Sequence, residues 1–492
     1  MSLILAIDQS TSATKAILFD TKGKILDKES RSHRQIYPRP GWVEHDVDEI
    51  WKNVLSLAAQ IAKRNRKNMA KLAGLSIANQ RETVVVFDRK TGKPLHNAIV
   101  WQDRRGDSIC EKLRRQGSEN LVRKTTGLKI DTYFSASKIR WLVENTPAIA
   151  AGLKNGTAVI GTIDTFLIHR LTGGKVFATD FTNASRTLLF DIGKLRWNEA
   201  LCKLFRVPIR ALPEVRESSA QFGETDVDGI LPATTPIVGV MGDSQASLFA
   251  QKCFSPGMAK ATFGTGTSVL LNIGEKVHFS KLGAVTALAW VLKGKPTYAF
   301  EGIINFSAAT IEWLKNQLGL IQNSAEVERL AAGVADNGGV YFVPAFAGLS
   351  APYWSPDARA AILGMTAHTS KAHIARAAEE SIAYQVRDVL DMMRAESKIK
   401  LRNLHADGGP TRDKFLMQLT ADITRAEIKI ADVAESSAWG AAMNGLIGLQ
   451  IHKSPADFIK LPHHQKSFRP RMNSKLVERN YGQWRQAVKR VL

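Results

Sequence analysis

The stretch LILAIDQSTSATKAILFD, residues 3–20, predicts two short apolar strands joined by a turn of Ser and Thr residues. TKGK and KILDKES follow, and Gly23 suits a second hairpin turn. A similar arrangement returns at residues 258–274, where MAKATF and VLLNIG flank the turn GTGTS. Two hairpins of one design, in corresponding places of the two halves, indicate a duplicated domain.

The chain is too long for a single core. It has 492 residues, so two domains are the first expectation and three remain possible. Strand-like runs alternate with helical patterns at residues 47–64, 308–317 and 374–396, which predicts an α/β fold. AQKCFSPGM carries a Pro-Gly, and we place the boundary near it, dividing the chain into 1–248 and 249–492.

Composition is typical of a soluble globular protein, with 44% hydrophobic and 23% charged residues. We expect no membrane span, because no apolar run reaches the roughly 18 to 20 residues required, and no signal peptide, because the N-terminus lacks a basic region and a long apolar run. Three widely spaced cysteines form neither a disulfide framework nor a zinc motif, so we expect a cytoplasmic protein. The net charge of +21 suits nucleic acid or smaller anionic ligands. Scattered Lys and Arg without interleaved aromatics disfavour nucleic acid.

Three turns have the composition of phosphate-binding loops. DQSTS at 8–12 ends an apolar strand, and successive backbone N–H groups there can surround an anion. Asp8 would repel a bare phosphate, so a divalent cation between them is expected. An ordinary polar turn explains this stretch equally well. GTGTS at 264–268 and DGGPT at 407–411 are similar, and the three together favour a nucleotide held between two domains.

Several long motifs are shared with a known family. The chain resembles the FGGY carbohydrate kinases from end to end, and within them the glycerol kinase branch. The resemblance implies two actin-like, ribonuclease-H-like domains, with ATP and the acceptor meeting in the cleft between them. The stretches that carry it are PGWVEHDVDEIW (40–51), ANQRETVVVFDRKTGKPLHNAIVWQDRR (78–105), YFSASKIRWLVEN (133–145), GTIDTFLIHRLTGGKVFATDFTNASRTLLFD (161–191), FVPAFAGLSAPYWSPDARAAILGMT (342–366) and ERNYGQWRQAVKR (478–490).

The resemblance assigns the acceptor site. It implies that Arg81 and Glu82 bind substrate hydroxyls, since a guanidinium donates and a carboxylate accepts hydrogen bonds. From the residues alone, an ion pair that pins a strand end is an equal alternative. Trp101 and Tyr133 match the apolar wall and a further acceptor contact, although core aromatics are commoner. Asp243 matches the catalytic base, and a cap for the following helix is the alternative.

The resemblance also implies an ATP and Mg²⁺ site. Asp8 would hold Mg²⁺, largely through water. A homodimer or homotetramer is possible, and no nucleic acid or membrane partner is expected. The nucleotide residues carried over are Thr11, Ser12, Ala13 and Lys15 near the terminal phosphates, Gly264 and Thr265 in the second hairpin, and Ala308, Glu312, Gly409 and Asp413 around the adenosine.

The chain departs from the family pattern at the acceptor pocket. Ser244 stands where glycerol kinases usually have Gln, and Ser268 stands where they have Phe. The space that these changes leave suits a longer acceptor, such as a tetritol, a pentitol or a pentulose like xylulose. Alternatively, water or a shifted neighbour fills it and glycerol remains the substrate. Ala308, Glu312 and Asp413 also depart, so the nucleotide preference is open. A non-catalytic actin-like nucleotide-binding protein is a less favoured alternative.

Overall fold

Two large mixed sheets, one in each half of the chain, form the framework of the molecule. The computed structural model describes residues 2–431, 435–461 and 465–492. The first sheet has the strand order β13-β14-β5-β1-β2-β3. All seven residues of β1 are buried, as expected for a central strand covered on both faces. The strands of this half are β1 Leu3–Gln9, β2 Ala13–Asp20, β3 Ile25–Ser32, β4 Glu44–His45, β5 Leu72–Asn79, β6 Val84–Asp88, β7 Ala98–Ile99, β8 Ala158–Thr162, β9 Ala178–Asp180, β10 Phe190–Asp191, β11 Arg196–Trp197, β12 Glu214–Arg216, β13 Gln221–Thr225 and β14 Thr235–Gly242.

Helices cover the sheet of the first half, beginning with α1. Asp46 caps α1 by accepting hydrogen bonds from the backbone N–H groups of Asp48 and Glu49. The predicted helix at 47–64 is confirmed residue for residue. The helices here are α1 Val47–Arg64, α2 Asp107–Arg115, α3 Glu119–Thr126, α4 Ser135–Asn145, α5 Pro147–Asn155, α6 Ile163–Leu171, α7 Phe181–Ala184, α8 Glu199–Leu204 and α9 Asp243–Ala250, with 3₁₀ turns at Met69–Lys71 and Ile209–Ala211.

The second half repeats the pattern of the first. Its large sheet has the order β23-β22-β21-β15-β16-β18-β17. The predicted helices at 308–317 and 374–396 are confirmed as α10 and α12, with slightly different ends. The strands are β15 Met258–Phe263, β16 Thr267–Gly274, β17 Val285–Leu292, β18 Lys295–Ile304, β19 Tyr341–Val343, β20 Ala361–Leu363, β21 Asn403–Asp407, β22 Ile428–Ala431 and β23 Gln465–Phe468; the helices are α10 Ala308–Asn316, α11 Ser324–Ala332, α12 Lys371–Ser397, α13 Lys414–Thr424, α14 Ser436–Gly448, α15 Pro455–Ile459 and α16 Ser474–Lys489, with a 3₁₀ turn at Gly409–Arg412.

The six strands of the first sheet correspond to six strands of the second, which has β17 in addition. In the first, β1 pairs antiparallel with β2 and parallel with β5, and β5 pairs parallel with β14. In the second, β15 pairs antiparallel with β16 and parallel with β21, and β21 pairs parallel with β22. An antiparallel edge strand completes each sheet beyond the parallel strands, β13 in one and β23 in the other. The duplication predicted from the two hairpins is therefore confirmed.

Helix α14 joins the two halves. It lies late in the chain, yet it packs on α9 and on strands β14, β5 and β1 of the first sheet. Trp439 of this helix is buried in one apolar cluster with Phe19 and Leu248 of the first half and Trp290 of the second. Among the described residues, no helix is long and apolar enough to cross a membrane.

Candidate active site

The carboxyl ends of three parallel strands place the polar motifs side by side. Gln9 at the end of β1 pairs with Asn79 at the end of β5, and Asn79 pairs with Gly242 at the end of β14. The residues that follow these ends lie along one edge of the sheet, where α/β folds usually bind ligands. The turn at 10–12, the pair Arg81 and Glu82, and Asp243 therefore converge.

Arg81 is the centre of a buried polar cluster. Its Nη2 lies 2.8 Å from Glu301 Oε1, and its Nη1 donates to Gln245 Oε1 at 3.2 Å. Its Nε lies 3.3 Å from Asp243 Oδ1. Glu82 Oε1 is more distant, at 3.9 Å. The guanidinium is therefore anchored mainly by residues far away in the chain, rather than by the adjacent glutamate.

Glu82 pairs with a second buried arginine. Arg186 Nε donates to Glu82 Oε1 at 2.6 Å, and Arg186 Nη1 lies 2.6 Å from Glu301 Oε2. Glu82 has a φ of 62°, an unfavourable value for a residue with a side chain. Strain of this kind is often found where a side chain must be aimed at a site. Two arginines and two glutamates thus alternate in a buried network.

Trp101 and Tyr133 lie together next to this network. Their ring centroids are 5.2 Å apart. The Arg186 guanidinium lies 6.0 Å from the Tyr133 ring centroid. Trp101 Nε1 donates to Thr11 Oγ1 at 2.9 Å, which connects the aromatic pair to the first Ser/Thr turn. The predicted acceptor wall and the predicted phosphate turn are therefore in contact.

Asp243 begins α9 and is partly exposed, with 36% of its side chain accessible. Its Oδ1 accepts from the backbone N–H of Ser244 at 2.6 Å, and the same oxygen faces Arg81. Within the described part of the chain, the polar contacts to this carboxylate all end on Oδ1. Gly242, not Asp243, is the N-cap residue of α9. Oδ2 is therefore left for another partner.

One face of the second sheet lies opposite the Arg81 cluster. Glu301 pairs with Leu270, which pairs with Lys260, and side chains of paired residues share a face. Two residues further along, Ser268 pairs with Thr262, which pairs with Asp407. This face contacts the first half through Glu301 and Arg81. Ser268 is thereby placed on the side of the sheet that faces the polar cluster.

Several buried polar atoms in this region have no hydrogen-bond partner among the described residues, and three of them bear on the ligand. They are Asp8 Oδ1, Arg186 Nη2 and Ser268 Oγ. Buried donors and acceptors are nearly always satisfied in folded proteins. Two acceptors and a donor without partners around one cleft indicate a site for a ligand that carries donors, acceptors or a cation.

Asp8 fits a cation. It is 6% exposed, and burial raises its pKa to about 7, with the carboxylates of Asp243 and Glu435 contributing and Lys15 opposing. Burial thus outweighs the positive charge of Lys15, and a cation bound at Asp8 would stabilise the ionised carboxylate. No group of three or more His, Cys, Asp or Glu residues in the described chain forms a metal cage. Mg²⁺ typically binds through one or two carboxylates, water and substrate phosphates, which matches this arrangement.

The first Ser/Thr turn joins β1 to β2. Ser10 N–H and its hydroxyl both donate to the carbonyl of Ala13 at 2.9 Å, which closes the turn around Thr11 and Ser12. Lys15, on β2, forms a 2.7 Å ion pair with Glu435 from the second half. The positive charge predicted to lie near the terminal phosphates is therefore present, and it is paired across the two halves.

The second Gly/Thr turn is joined to the start of α10. The carbonyl of Gly264 accepts from Ala308 N–H at 3.1 Å, and the carbonyl of Thr265 accepts from Ser307 N–H at 2.9 Å. Ala308 begins α10, and Glu312 follows one turn later on the same helix. The predicted residues of the second hairpin and two of the predicted adenosine residues therefore form one unit.

Gly408 and Gly409 lie next to this second turn, where Gly408 packs against Phe263. Gly408 has a φ of +97°, and a Cβ there would lie 1.9 Å from the carbonyl oxygen of Phe263, so only glycine fits. A Cβ on Gly409 would meet nothing within 4 Å, so this backbone is open to a ligand. Asp413 caps α13 through a 2.8 Å hydrogen bond from Leu416 N–H.

A buried glutamate lies behind Asp413. Glu379 is 1% exposed, and burial, followed by the neighbouring carboxyl of Asp413, raises its pKa to about 10. Glu379 is therefore protonated at neutral pH. Its proton supplies a donor beside the Asp413 carboxylate, which an ionised Glu could not.

Sequence reasoning missed several members of the site. Arg186, Gln245 and Glu301 complete the network around Arg81 and Glu82, and Lys260 and Glu435 add charges nearby. A signal existed for Lys260 and Glu301, since each is a lone charge within an apolar strand pattern, MAKATF and YAFEGII. Their partners could not be predicted, because the contacts join residues hundreds of positions apart.

Comparisons with known proteins cover the whole chain. The N-terminal domain of the FGGY family of carbohydrate kinases matches residues 3–250, and the C-terminal domain of that family matches residues 259–449. The chain is 45% identical over 489 residues to glycerol kinase 1 of Thermotoga maritima, covering 99% of both. It is 43% identical to a glycerol kinase of Desulfitobacterium hafniense, again over 489 residues and 99% of both chains.

Solved structures give the same comparison in three dimensions. A Plasmodium falciparum glycerol kinase with ADP superposes with a TM-score of 0.95 at 39% identity, covering 100% of this chain and 98% of the other. A ligand-bound xylulose kinase from Lactobacillus acidophilus superposes with a TM-score of 0.89 at 20% identity, covering 99% and 97%. At that identity the second likeness concerns the fold alone.

Proposed function

The chain belongs to the FGGY family of carbohydrate kinases, and we propose that it transfers the γ-phosphate of ATP to a primary hydroxyl of glycerol. The observation that carries this proposal is the Asp243 carboxylate. One of its oxygens is held by Ser244 N–H and Arg81, and the other is left for the acceptor. The relatives named glycerol kinase, at 43–45% identity over the full length, support glycerol over other polyols.

Asp243 is the proposed general base. Phosphoryl transfer needs an attacking hydroxyl that is positioned and a group that accepts its proton. Oδ2 would accept the proton as the acceptor oxygen forms its bond to the γ-phosphorus and the bond to the β-phosphate oxygen breaks. Arg81, 3.3 Å from Oδ1, fixes the carboxylate in one orientation. The base is thereby positioned before substrate arrives.

Arg186, Arg81 and Glu82 are proposed to bind the other hydroxyls, with Trp101 and Tyr133 against the carbon chain. Arg186 Nη2 is a buried donor without a partner among the described residues, and a polyol oxygen would supply that partner. Each polyol hydroxyl both donates and accepts, so alternating arginines and glutamates suit it. The short carbon chain would pack on the Trp101–Tyr133 pair.

The nucleotide is proposed to lie between the two turns. Thr11, Ser12, Ala13 and Lys15 would contact the terminal phosphates, and Gly264 and Thr265 would contact them from the other half. Ala308, Glu312, Gly409 and Asp413 would surround the adenosine. Asp8 would hold Mg²⁺, largely through water, and the ion would neutralise charge on the β- and γ-phosphates. The unpartnered Asp8 Oδ1 supports this assignment.

Steady-state ADP release from Mg-ATP and glycerol tests the proposal. Asp243→Asn keeps the size of the side chain and removes the base, so kcat should fall by about 10²- to 10⁴-fold. The matched control is Asp228→Asn, on an exposed loop outside the site, which should leave kcat unchanged. Absence of glycerol-dependent turnover in the wild type, or full activity of Asp243→Asn, would contradict the proposal.

A longer acceptor is the second candidate, and Ser268 favours it. Its hydroxyl is buried without a partner and lies on the face opposite Arg81, where one further CH–OH unit could reach it. Comparing kcat/KM for glycerol, erythritol, ribitol, arabitol and xylulose separates the two. A higher value for a four- or five-carbon acceptor selects this second function, and a higher value for glycerol removes it.

Three further properties of the whole molecule are also proposed. The proposed domain boundary at 248/249 lies within α9, close to the end of the family's N-terminal match at residue 250. Self-association into a homodimer or homotetramer, without nucleic acid or membrane partners, and a cytoplasmic location stay predictions. Sedimentation at several concentrations tests self-association. Salt-dependent retention on immobilised nucleic acid tests the expected absence of a nucleic-acid partner.

A further inference from the structure

A second cavity lies between the two halves and shares no lining residue with the candidate active site. Its volume is about 140 Å³. One wall comes from the end of α3 and the residues after it, with Arg123, Gly127 and Lys129. The opposite wall comes from residues 280–284 and from Trp354. The cavity therefore depends on both halves of the chain.

The walls carry an excess of positive charge. Arg123, Lys129 and Lys281 line the cavity, and none of the three forms an ion pair within the described part of the chain. Glu396, an acidic residue behind the wall at 280–284, is already hydrogen-bonded. Its carboxylate accepts from the backbone N–H groups of Lys281 and Leu282 at 2.8 and 2.6 Å, and from the Ser280 hydroxyl at 3.0 Å.

Lys129 lies against the face of the Trp354 ring. Its Nζ lies 3.8 Å from the centroid of the Trp354 ring, and Trp354 Nε1 donates to the carbonyl of Gly283 at 2.9 Å. Burial lowers the pKa of Lys129, an effect that Glu119 and Asp131 oppose and Arg123 reinforces. Burial outweighs these two carboxylates, and no ion pair to Lys129 is formed within the described residues, so an anion in the cavity would supply a direct counter-charge.

We propose that this cavity binds the phosphate of a small phosphomonoester. The three cations suit a dianion, and Arg123 can contact two phosphate oxygens at once. The volume of about 140 Å³ is several times the roughly 30 Å³ that one water occupies in the liquid, so it admits a phosphate with a short carbon chain.

The bound phosphate would join the two halves next to the active site. Thr286 N–H donates to the carbonyl of Gly127 at 3.0 Å, so the cavity walls already touch at one end. Val285, the first residue of β17, pairs with Glu301, which holds Arg81. Residues 280–284 of the cavity wall lead directly into β17, so a ligand in the cavity would also stabilise the pairing of β17 with the strand that carries Glu301.

Isothermal titration with inorganic phosphate and with glycerol 3-phosphate tests the proposal. The full chain is first saturated with a non-hydrolysable ATP analogue and Mg²⁺, so that the nucleotide cleft takes no phosphate. Ionic strength is held constant with chloride, since exposed cations attract any anion at low salt. The variants are Arg123→Gln and Lys129→Gln, and the control is Lys124→Gln, an exposed position on the same helix outside the cavity.

We expect one site in the wild type, with glycerol 3-phosphate binding more tightly than inorganic phosphate. Each cavity variant should weaken the affinity for glycerol 3-phosphate at least about tenfold, because a charge-assisted hydrogen bond is lost. The affinity of Lys124→Gln should stay within about twofold of the wild-type value. Glycerol 3-phosphate should also raise the melting temperature of the wild type and of Lys124→Gln, but not that of the cavity variants.

Two results would overturn the inference. Equal affinities in all four proteins would show that the phosphate binds elsewhere or only as a diffuse counter-ion. Glycerol 3-phosphate binding no more tightly than inorganic phosphate would remove the assignment of an ester. Unchanged kcat and circular dichroism in the variants exclude loss of folding as the cause of weaker binding.

Discussion

Arg81 and Glu301 form a buried ion pair between the two halves of the chain, with 2.8 Å between Nη2 and Oε1. Arg81 follows β5 of the first sheet, and Glu301 lies on β18 of the second. The acceptor-binding network is therefore also a contact that holds the two sheets together. Substitutions in it should change stability and substrate binding at the same time.

Replacement of Glu301 by Gln should be strongly destabilising. It leaves Arg81 and Arg186 buried with too little negative charge, which typically costs about 3 to 5 kcal/mol. Chemical denaturation at neutral pH measures this loss. Glu111→Gln removes one half of an exposed i,i+4 pair with Arg115 and is the control, with an expected effect below about 1 kcal/mol. Equal effects of the two substitutions would contradict the buried network.

The ion pair between Arg81 and Glu301 also predicts that the stability of the protein depends on pH. Burial opposes ionisation of Glu301, but Arg186 and Arg81 overcome it and hold its pKa at about 2. The unfolded chain has a pKa near 4.3 at this residue. The contribution of Glu301 to stability is therefore present above about pH 4.3 and is lost as pH falls towards 2. Wild type should lose more stability over that window than Glu301→Gln.

Glu379 should make the protein less stable as pH rises, which is the opposite of the effect of Glu301. Its folded pKa of about 10 lies above the unfolded value, so the folded state holds a proton that the unfolded state releases above about pH 4.3. Glu379→Gln avoids this cost, and it should stabilise the protein by about 1 to 3 kcal/mol at pH 8 and by little at pH 4. Urea unfolding at both pH values measures the difference. A stabilisation that does not change with pH would show that Glu379 is not protonated in the folded state.

Ser268→Phe should shift acceptor preference towards glycerol. The new ring would occupy the space in front of Ser268, and apolar packing against a short carbon chain contributes about 1 to 3 kcal/mol. We expect kcat/KM for glycerol to rise and that for four- and five-carbon acceptors to fall. Ser268→Ala, which removes the hydroxyl and keeps the space, is the control. Unchanged ratios in Ser268→Phe would show that this side chain does not face the acceptor.

Substitutions at the adjacent Gly408 and Gly409 should have different effects, one on stability and the other on nucleotide binding. Gly408→Ala should lower stability, because a Cβ would lie 1.9 Å from the Phe263 carbonyl oxygen, in addition to a backbone cost of about 1 to 3 kcal/mol. Gly409→Ala meets nothing within 4 Å and should leave the melting temperature almost unchanged. If the nucleotide approaches Gly409, that variant should nevertheless raise the KM for ATP. Normal KM values in a stable Gly409→Ala would exclude this contact.

Local features of the fold could be predicted from the sequence. The sequence predicts helix α1 at its observed ends because apolar periodicity is a local signal, and the structure adds the Asp46 cap at its start. The duplicated hairpins were predicted because a Gly or Ser/Thr turn between short apolar runs is also a local signal. The strand order beyond them was not, because it depends on pairing between distant segments.

The site was predicted only in part. Arg81 and Glu82 were expected to be mutual partners, but the short contacts of Arg81 are to Glu301 and Gln245, and Glu82 contacts Arg186. Adjacent residues in a turn project in different directions, so a distant side chain can approach each more closely than its neighbour does. Lys15 was expected beside phosphates, and the structure adds Glu435, a partner 420 positions away.

The position of α14 affects the order in which the chain can fold during synthesis. This helix covers β14, β5 and β1, yet it is translated after most of the second half. Until residues 436–448 leave the ribosome, the nascent first half lacks the cover for that apolar face. Such uncovered surface favours aggregation and chaperone binding. Truncation before residue 436 would leave the first half in that incomplete state, so a late stop codon should be as damaging as an early one.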